Sequence, residues 1–338
     1  MRMAISEYCA KIGNNSLLVQ GAGGNISWKE GNTLWVKASG TWLAEALEQD
    51  IFVPVDLLSL KQAFVNDDYS IDPRVLGDSS LRPSIETLLH ALMSHQVVVH
   101  LHAIDILSYL VRQDAEFQIQ TCLGEMIPWA MVDYYKPGAT LAMAVRQVLD
   151  NNLSTDVIFL QNHGVVIGGA DIDEIDSTLS FLLERLKLNP RKMVDITSSE
   201  QPLIVNDTAQ YLFVSDPFVQ QLAMQTELFH RLESNWALYP DHVVFLGDSA
   251  KRYNSVDHAK EHLLACDIMP DVIFIESVGV FGLGELSIGK RAQLRCYADV
   301  LLRQPKHQLL NTLSNYEIAQ LLNWDAEKYR MNLAFPVQ

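Results

Sequence analysis

VVVHLHAIDIL, residues Val97 to Leu107, decides how this chain is read. Its first half is the short apolar run of a buried strand, yet it carries two histidines one residue apart. A polar ring in a core strand costs stability unless it has a partner. Strand side chains alternate between faces, so His100 and His102 share one face. Two imidazoles in that relation suit joint metal ligation, and a full coordination shell asks for further donors. The competing reading is a pair of core histidines hydrogen-bonded to backbone.

Working outward, RPSIETLLHALMSH just upstream reads as a helix, with Pro83 in its first turn and Ser84 or Asp78 as nearby caps. Glu86 falls in that first turn, where the helix dipole favours a carboxylate. Downstream, AIDILSYLVRQ is helical, and KPGATLAMAVRQVLDN is a helix opened by Pro137-Gly138. DVIFLQNHGVVIGG reads as strand, turn, strand. Its turn offers His163 at a strand end, between Asn162 and Gly164. DIDEIDSTLSFLLERLKL is an amphipathic helix. Towards the N-terminus, residues 3–14 form a helix, LLVQGAGGNISWK closes an apolar run in a glycine-rich turn, and NTLWVKASG is a strand ending in a small-residue turn. Residues 41–64 carry helical patches.

The pattern weakens over NPRKMVDITSSEQP, residues 189–202, and the domain boundary is placed there, with one domain at 1–195 and a smaller α/β domain at 196–338. The second part reads as a long helix near 216–236, a strand HVVFLG at 242–247, a helix near 255–265, a strand DVIFIE at 271–276, then a glycine-rich turn and helices. No internal repeat is evident.

The chain has 338 residues and a formal net charge of −16. That balance argues against a general binder of nucleic acid or of anionic membranes, which use positive surfaces. A small anionic ligand held by local donors remains compatible with it. The N-terminal segment lacks the apolar core of a signal peptide, and no apolar run is long enough to span a bilayer. Cys9, Cys122, Cys266 and Cys296 are far apart and form no CxxC, so they read as free thiols in a reducing cytosol. A cytoplasmic protein is expected.

Joined by His163 and Glu86, the histidine pair offers three neutral nitrogens and one carboxylate, a donor set that suits Zn²⁺ and other divalent metals such as Mn²⁺ or Co²⁺. Beyond this point the first ~190 residues resemble the class II aldolase/adducin superfamily. The matching pieces run in order: GGNIS, VKASG, RPSIETLLH, VVVHLHA, KPGATLA and QNHGVVIGG. VLGDSSLRPSIE and LWVKASGTWLAEA look most like the aldolase half of the bifunctional rhamnulose-phosphate aldolase/dehydrogenase branch. The resemblance implies a three-layer α/β/α fold with a mostly antiparallel central sheet, active sites between subunits and a homotetramer. It implies His100, His102 and His163 as metal ligands. Glu86 matches the catalytic acid/base, which in some members also ligates the resting metal. Gly24, Asn25, Ser39, Gly40 and Ser84 match the phosphate-binding positions. Tyr134 in DYYKPG matches a proton-donating tyrosine, a role Tyr135 could take instead.

Two departures from fuculose-type members stand out. Ile85 replaces a second serine, which removes a phosphate contact, and the segment from Glu86 to the HLH pair is shorter. The implied reaction is metal-dependent aldol cleavage of a ketose phosphate or similar hydroxy-carbonyl sugar derivative through an enediolate. A pentulose-phosphate 4-epimerase, a dehydratase and a non-catalytic adducin-like module are the alternatives, the last of which predicts missing ligands. Small residues in GAGGN and ASG let backbone N–H groups approach a phosphate. Lys37 reads first as a solvated strand lysine. GELSIGKR, Gly284 to Arg291, imitates a nucleotide-binding loop but has Arg291 where Ser or Thr is needed. HAKEH, His258 to His262, reads as surface or core filling.

Overall fold

The computed structural model describes residues 1–152, 154–196, 201–206 and 209–325. The chain divides into two compact units, Met1–Lys187 joined by the described residues after Leu322, and Leu188–Leu322.

In chain order the first unit contains α1 (Arg2–Gly13), β1 (Asn25–Glu30), β2 (Thr33–Lys37), β3 (Phe52–Asp56), α2 (Leu57–Val65), α3 (Thr87–Leu92), β4 (Val97–Leu101), α4 (Ile104–Leu110), α5 (Ala115–Leu123), β5 (Trp129–Val132), α6 (Ala139–Asn151), β6 (Val157–Leu160), β7 (Gly164–Gly169) and α7 (Ile172–Arg185). The strands form one sheet in the order β3-β2-β1-β4-β7-β6-β5. Every neighbouring pair is antiparallel except β5–β6. The mostly antiparallel sheet between helices is therefore as expected.

Central strand β4 sets the layers. Val98 packs with Leu89, Leu141, Val145, Ile158 and Val166, so α3 and α6 cover that face. His100, two residues on, shares it. Val97, Val99 and Leu101 look the other way and are also buried, where α4 and α7 meet β4 and β7. A strand buried on both faces reads as a continuous apolar run, which is why VVVHL does not alternate.

One expectation for this unit fails and another gains a strand. Residues 41–64 carry the expected helical patches, at Leu43–Glu45 and in α2, but IFVPVD between them forms β3. Pro54 disguises it, but β3 is the outermost strand, where a missing N–H is tolerated. The RPSIE helix starts late. Glu86 is its N-cap rather than a first-turn residue, and Pro83 instead bridges to Ala38 as an extended residue.

The second unit contains β8 (Leu203–Ile204), β9 (Gln210–Phe213), α8 (Pro217–Met224), α9 (Thr226–Ser234), α10 (Pro240–Leu246), β10 (Lys251–Tyr253), α11 (Val256–Leu264), β11 (Val272–Ile275), β12 (Gly279–Leu283), α12 (Ile288–Leu302) and α13 (Asn315–Leu322). Its sheet runs β8-β9-β12-β11-β10, with β10–β11 parallel. Its core gathers Tyr211, Tyr253, Leu263, Ile273, Ile275 and Phe281. HVVFLG is helical, not a strand: Pro240 occupies the first turn and Gly247, at φ +85°, closes the helix. The expected long helix at 216–236 breaks at Gln225, whose backbone is extended. Among the described residues no helix is long and apolar enough to cross a membrane. All four cysteines are free.

Candidate metal centre

His100 closes the α3-facing side of β4, and His102 follows one residue beyond the strand. His163 comes from the β6–β7 turn. Asn162 enables that turn by holding φ at +53°, a left-handed conformation that asparagine tolerates. The three histidines converge, with donor atoms all within 4.8 Å of one another, and they are the one such group of three found among the described residues. The Nε2 atoms of His100 and His102 stand 3.0 Å apart. Glu86 Oε1 lies 3.4 Å from His163 Nε2 and 3.6 Å from His100 Nε2. All four side chains are buried.

The chemistry of this cluster fits a cation. Nδ1 of His100 is 3.1 Å from the Val165 carbonyl, to which it donates, and this leaves Nε2 as a lone pair aimed at the cluster. Burial holds the His100 imidazole well below the usual histidine range, and the neighbouring His163 and His102 rings push the same way. A neutral imidazole is the form a metal binds. The backbone is fitted to the rings: a Cβ on Gly164 would stand 2.4 Å from the Leu101 carbonyl oxygen and 2.9 Å from His100 Cε1. Only glycine allows β7 to pass so close to two histidines.

Two of the expected phosphate positions, Asn25 and Ser84, are linked to Glu86 by hydrogen bonds. Asn25 sits opposite His100 across the β1–β4 pair and donates to Ser84 Oγ. Ser84 Oγ also accepts from the Glu86 amide at 3.2 Å. The Ser39 amide donates to the Arg82 carbonyl at 2.9 Å, beside the Ala38–Pro83 bridge. Gly24 and Gly40 hold φ of +68° and +81°.

Sequence reasoning undervalued Lys37. It is buried, and its ammonium donates to the carbonyls of Ala22 at 3.1 Å and Thr41 at 2.6 Å, joining the two glycine-rich turns. The signal was the VKASG motif itself, since Val36 and Ala38 on either side of Lys37 are core residues.

Tyr134 follows β5 in the loop leading to the KPG turn, which passes beside Ile85: the Ile85 carbonyl oxygen is 4.0 Å from where a Cβ on Gly138 would begin. The Tyr134 hydroxyl is buried, whereas Tyr135 is 42% exposed. The remaining motifs fall elsewhere. Lys290 of GELSIGKR is paired with Asp271 at 2.5 Å, so its charge is already engaged. His262 of HAKEH contacts the Tyr253 hydroxyl at 3.1 Å and Cys266 Sγ at 3.5 Å.

Comparison with known proteins finds a family match over the first unit. The model of the class II aldolase and adducin N-terminal domain matches residues 3–186. The chain belongs to that family. An L-fuculose phosphate aldolase of Methanocaldococcus jannaschii is 27% identical over 53% of this chain and 90% of its own length. A methylthioribulose-1-phosphate dehydratase of Geobacillus thermodenitrificans is 29% identical over 30% of this chain and 56% of its own. The uncharacterized oxidoreductase YuxG of Bacillus subtilis is 28% identical over 51% of this chain, a match spanning only 27% of YuxG. Among solved structures, the N-terminal class II aldolase domain of a conserved Thermoplasma acidophilum protein is 27% identical, with a TM-score of 0.45, over 54% of this chain and 90% of its own. The class II aldolase match thus takes in the first unit.

Proposed function

We propose that the chain is a metal-dependent aldolase, a carbon–carbon lyase that cleaves a small ketose phosphate or a related hydroxy-carbonyl sugar derivative. The observation that carries this reading is the convergence of three buried histidines with one buried carboxylate at their edge. His100, His102 and His163 would hold Zn²⁺, Mn²⁺ or Co²⁺, with Glu86 as a further donor in the resting site. Such a cation acts as a Lewis acid for the charge left on substrate oxygens when the carbon–carbon bond breaks.

The protein residues do the rest. Glu86, within reach of the same space, gives a proton to the new carbanion carbon on cleavage and takes it back in the aldol direction. Tyr134, with its buried hydroxyl, is assigned the proton at the aldehyde oxygen. Gly24, Asn25, Ser39, Gly40 and Ser84 anchor the phosphate through backbone amides and short side chains. A cytoplasmic homotetramer is part of the same proposal.

A dehydratase reaction is the second reading, favoured by the likeness to methylthioribulose-1-phosphate dehydratase. Both reactions place charge on a substrate carbonyl oxygen, so the product decides between them. A non-catalytic role is disfavoured because the donor set is complete.

The test is metal content by mass spectrometry on tag-free protein, beside a His100→Ala/His102→Ala variant, followed by assay of ketose phosphates for aldehyde release. Near-stoichiometric metal lost in the variant, with activity lost in Glu86→Gln while metal is kept, supports the proposal. Wild-type protein that stays empty and refuses added Zn²⁺, Mn²⁺ and Co²⁺ overturns it.

A further inference from the structure

We propose that the second unit is a metal-silent copy of the same fold, in which Phe213, Ser215 and Val278 stand where His100, His102 and His163 stand in the first. The two sheets share one order: β1-β4-β7-β6-β5 in the first corresponds to β8-β9-β12-β11-β10 in the second. In both, the last pair is parallel and the other three are antiparallel. The helices fall in the same gaps, with α4 and α8 after β4 and β9, α6 and α11 before β6 and β11, and α7 and α12 after the hairpin.

The correspondence holds residue by residue at a constant offset along the hairpin. Asp156-Val157-Ile158-Phe159 matches Asp271-Val272-Ile273-Phe274, and Gly164-Val165 matches Gly279-Val280. The register repeats, since Ile158 faces Val166 and Ile273 faces Phe281. Asn162 and Ser277, at φ +53° and +56°, occupy the same left-handed position. Their amides donate to the carbonyls of Leu110 and Ala223, the last residue of α4 and the penultimate residue of α8, at 3.1 and 2.9 Å. Serine gains little from that conformation, so its presence marks a turn dictated by the fold. Sequence reading found no repeat because the rest of the two segments has diverged.

The silencing is equally specific. A Cβ on Gly279 would lie 2.9 Å from Phe213 Cε2, as one on Gly164 would lie 2.9 Å from His100 Cε1. The two rings therefore hold the same place against the same glycine. His100 Nδ1 serves the Val165 carbonyl in the first unit. In the second, the buried Gln220 amide serves the equivalent Val280 carbonyl at 3.0 Å. The hydrogen bond is kept while the metal donor is gone. Val278 leaves no donor at the position of His163, and the short β8–β9 link has no counterpart of the β1–β4 segment that carries Lys37, Ser84 and Glu86. This inference concerns the second unit alone and does not depend on activity at the first.

The experiment starts from a His100→Ala/His102→Ala/His163→Ala background, which removes the first cage, and reads Co²⁺ uptake by visible absorption and by equilibrium dialysis. The background is expected to hold no ion. Adding Phe213→His/Ser215→His/Val278→His is expected to restore about one equivalent, with tetrahedral Co²⁺ absorption. Should that variant not fold by circular dichroism, Ser215→His/Val278→His keeps the Phe213 ring on Gly279 and is expected to take up Ni²⁺ that the background does not. Stoichiometric metal retained by the background, or a folded histidine variant that gains none, overturns the inference. Wild-type protein that binds no metal would defeat the proposed function and leave this result untouched.

Discussion

Gly164 shows how much one residue specifies. Its missing side chain is what lets β7 run against the rings of His100 and His102. Gly164→Ala forces a methyl group to within 2.4 Å of a backbone oxygen that cannot rotate away. The expected cost is about 3 kcal/mol or more, together with loss of metal affinity, and urea unfolding with a metal titration checks both. His242 gives a second prediction, about pH. It is fully buried between the rings of Trp236 and Tyr297, 4.3 and 4.4 Å away by centroids, and neither ring nitrogen has a hydrogen-bond partner among the described residues. Burial lowers its pKa to about 3. The unfolded chain binds a proton near the ordinary value of about 6.5 while the folded chain does not. Stability from this residue is thus complete above about pH 6.5 and falls as pH drops towards 3, by about 1.4 kcal/mol per pH unit. His242→Phe keeps the aromatic packing and is expected to flatten the acid limb by one proton. An unchanged limb in urea unfolding at pH 4.5 and 7 would reject this account.

At the scale of elements, Lys37 links two turns that meet nowhere in sequence, and its two carbonyl partners hold GAGG and ASG at a fixed separation. Lys37→Met is expected to cost about 1–3 kcal/mol, since it orphans both carbonyls, and to raise KM for a phosphorylated substrate more than it lowers kcat. Equal losses in both would place Lys37 in the chemistry instead. The histidine pair was legible because period two is a local rule, and the β6–β7 hairpin because Asn-His-Gly is turn chemistry. Convergence of His163 with His100 was not legible. It depends on β4 pairing with β7 across more than sixty residues, which no local pattern encodes. HVVFLG misled because a short apolar run fits a strand or a buried helix equally. The flanking Pro240 and Gly247 were the better guide. The start of α3 misled for a related reason: Pro83 suits a first helical turn and an extended bridge alike, and only the pairing with Ala38 selects the second.

At the scale of the molecule, the donors for a cation all come from one unit, while the other repeats the fold without them. Ligand binding stabilises whatever structure forms the site, by an amount set by the ratio of free ligand to Kd. Metal removal should therefore be felt unevenly along one chain. Chelation is expected to speed amide hydrogen exchange in peptides covering β4, β6 and β7, where strand ends position the histidines and where opening frees the ion. Peptides covering β9, β11 and β12 have the same pairing and register but Phe213 and Val278 at the corresponding points, and their exchange is expected to stay unchanged. The internal control shares the strand pairing and topology of the histidine unit, so topology cannot explain a contrast. Equal loss of protection in both sets of peptides would mean that the ion supports the chain as a whole, and the assignment of metal stabilisation to the histidine cage would fall.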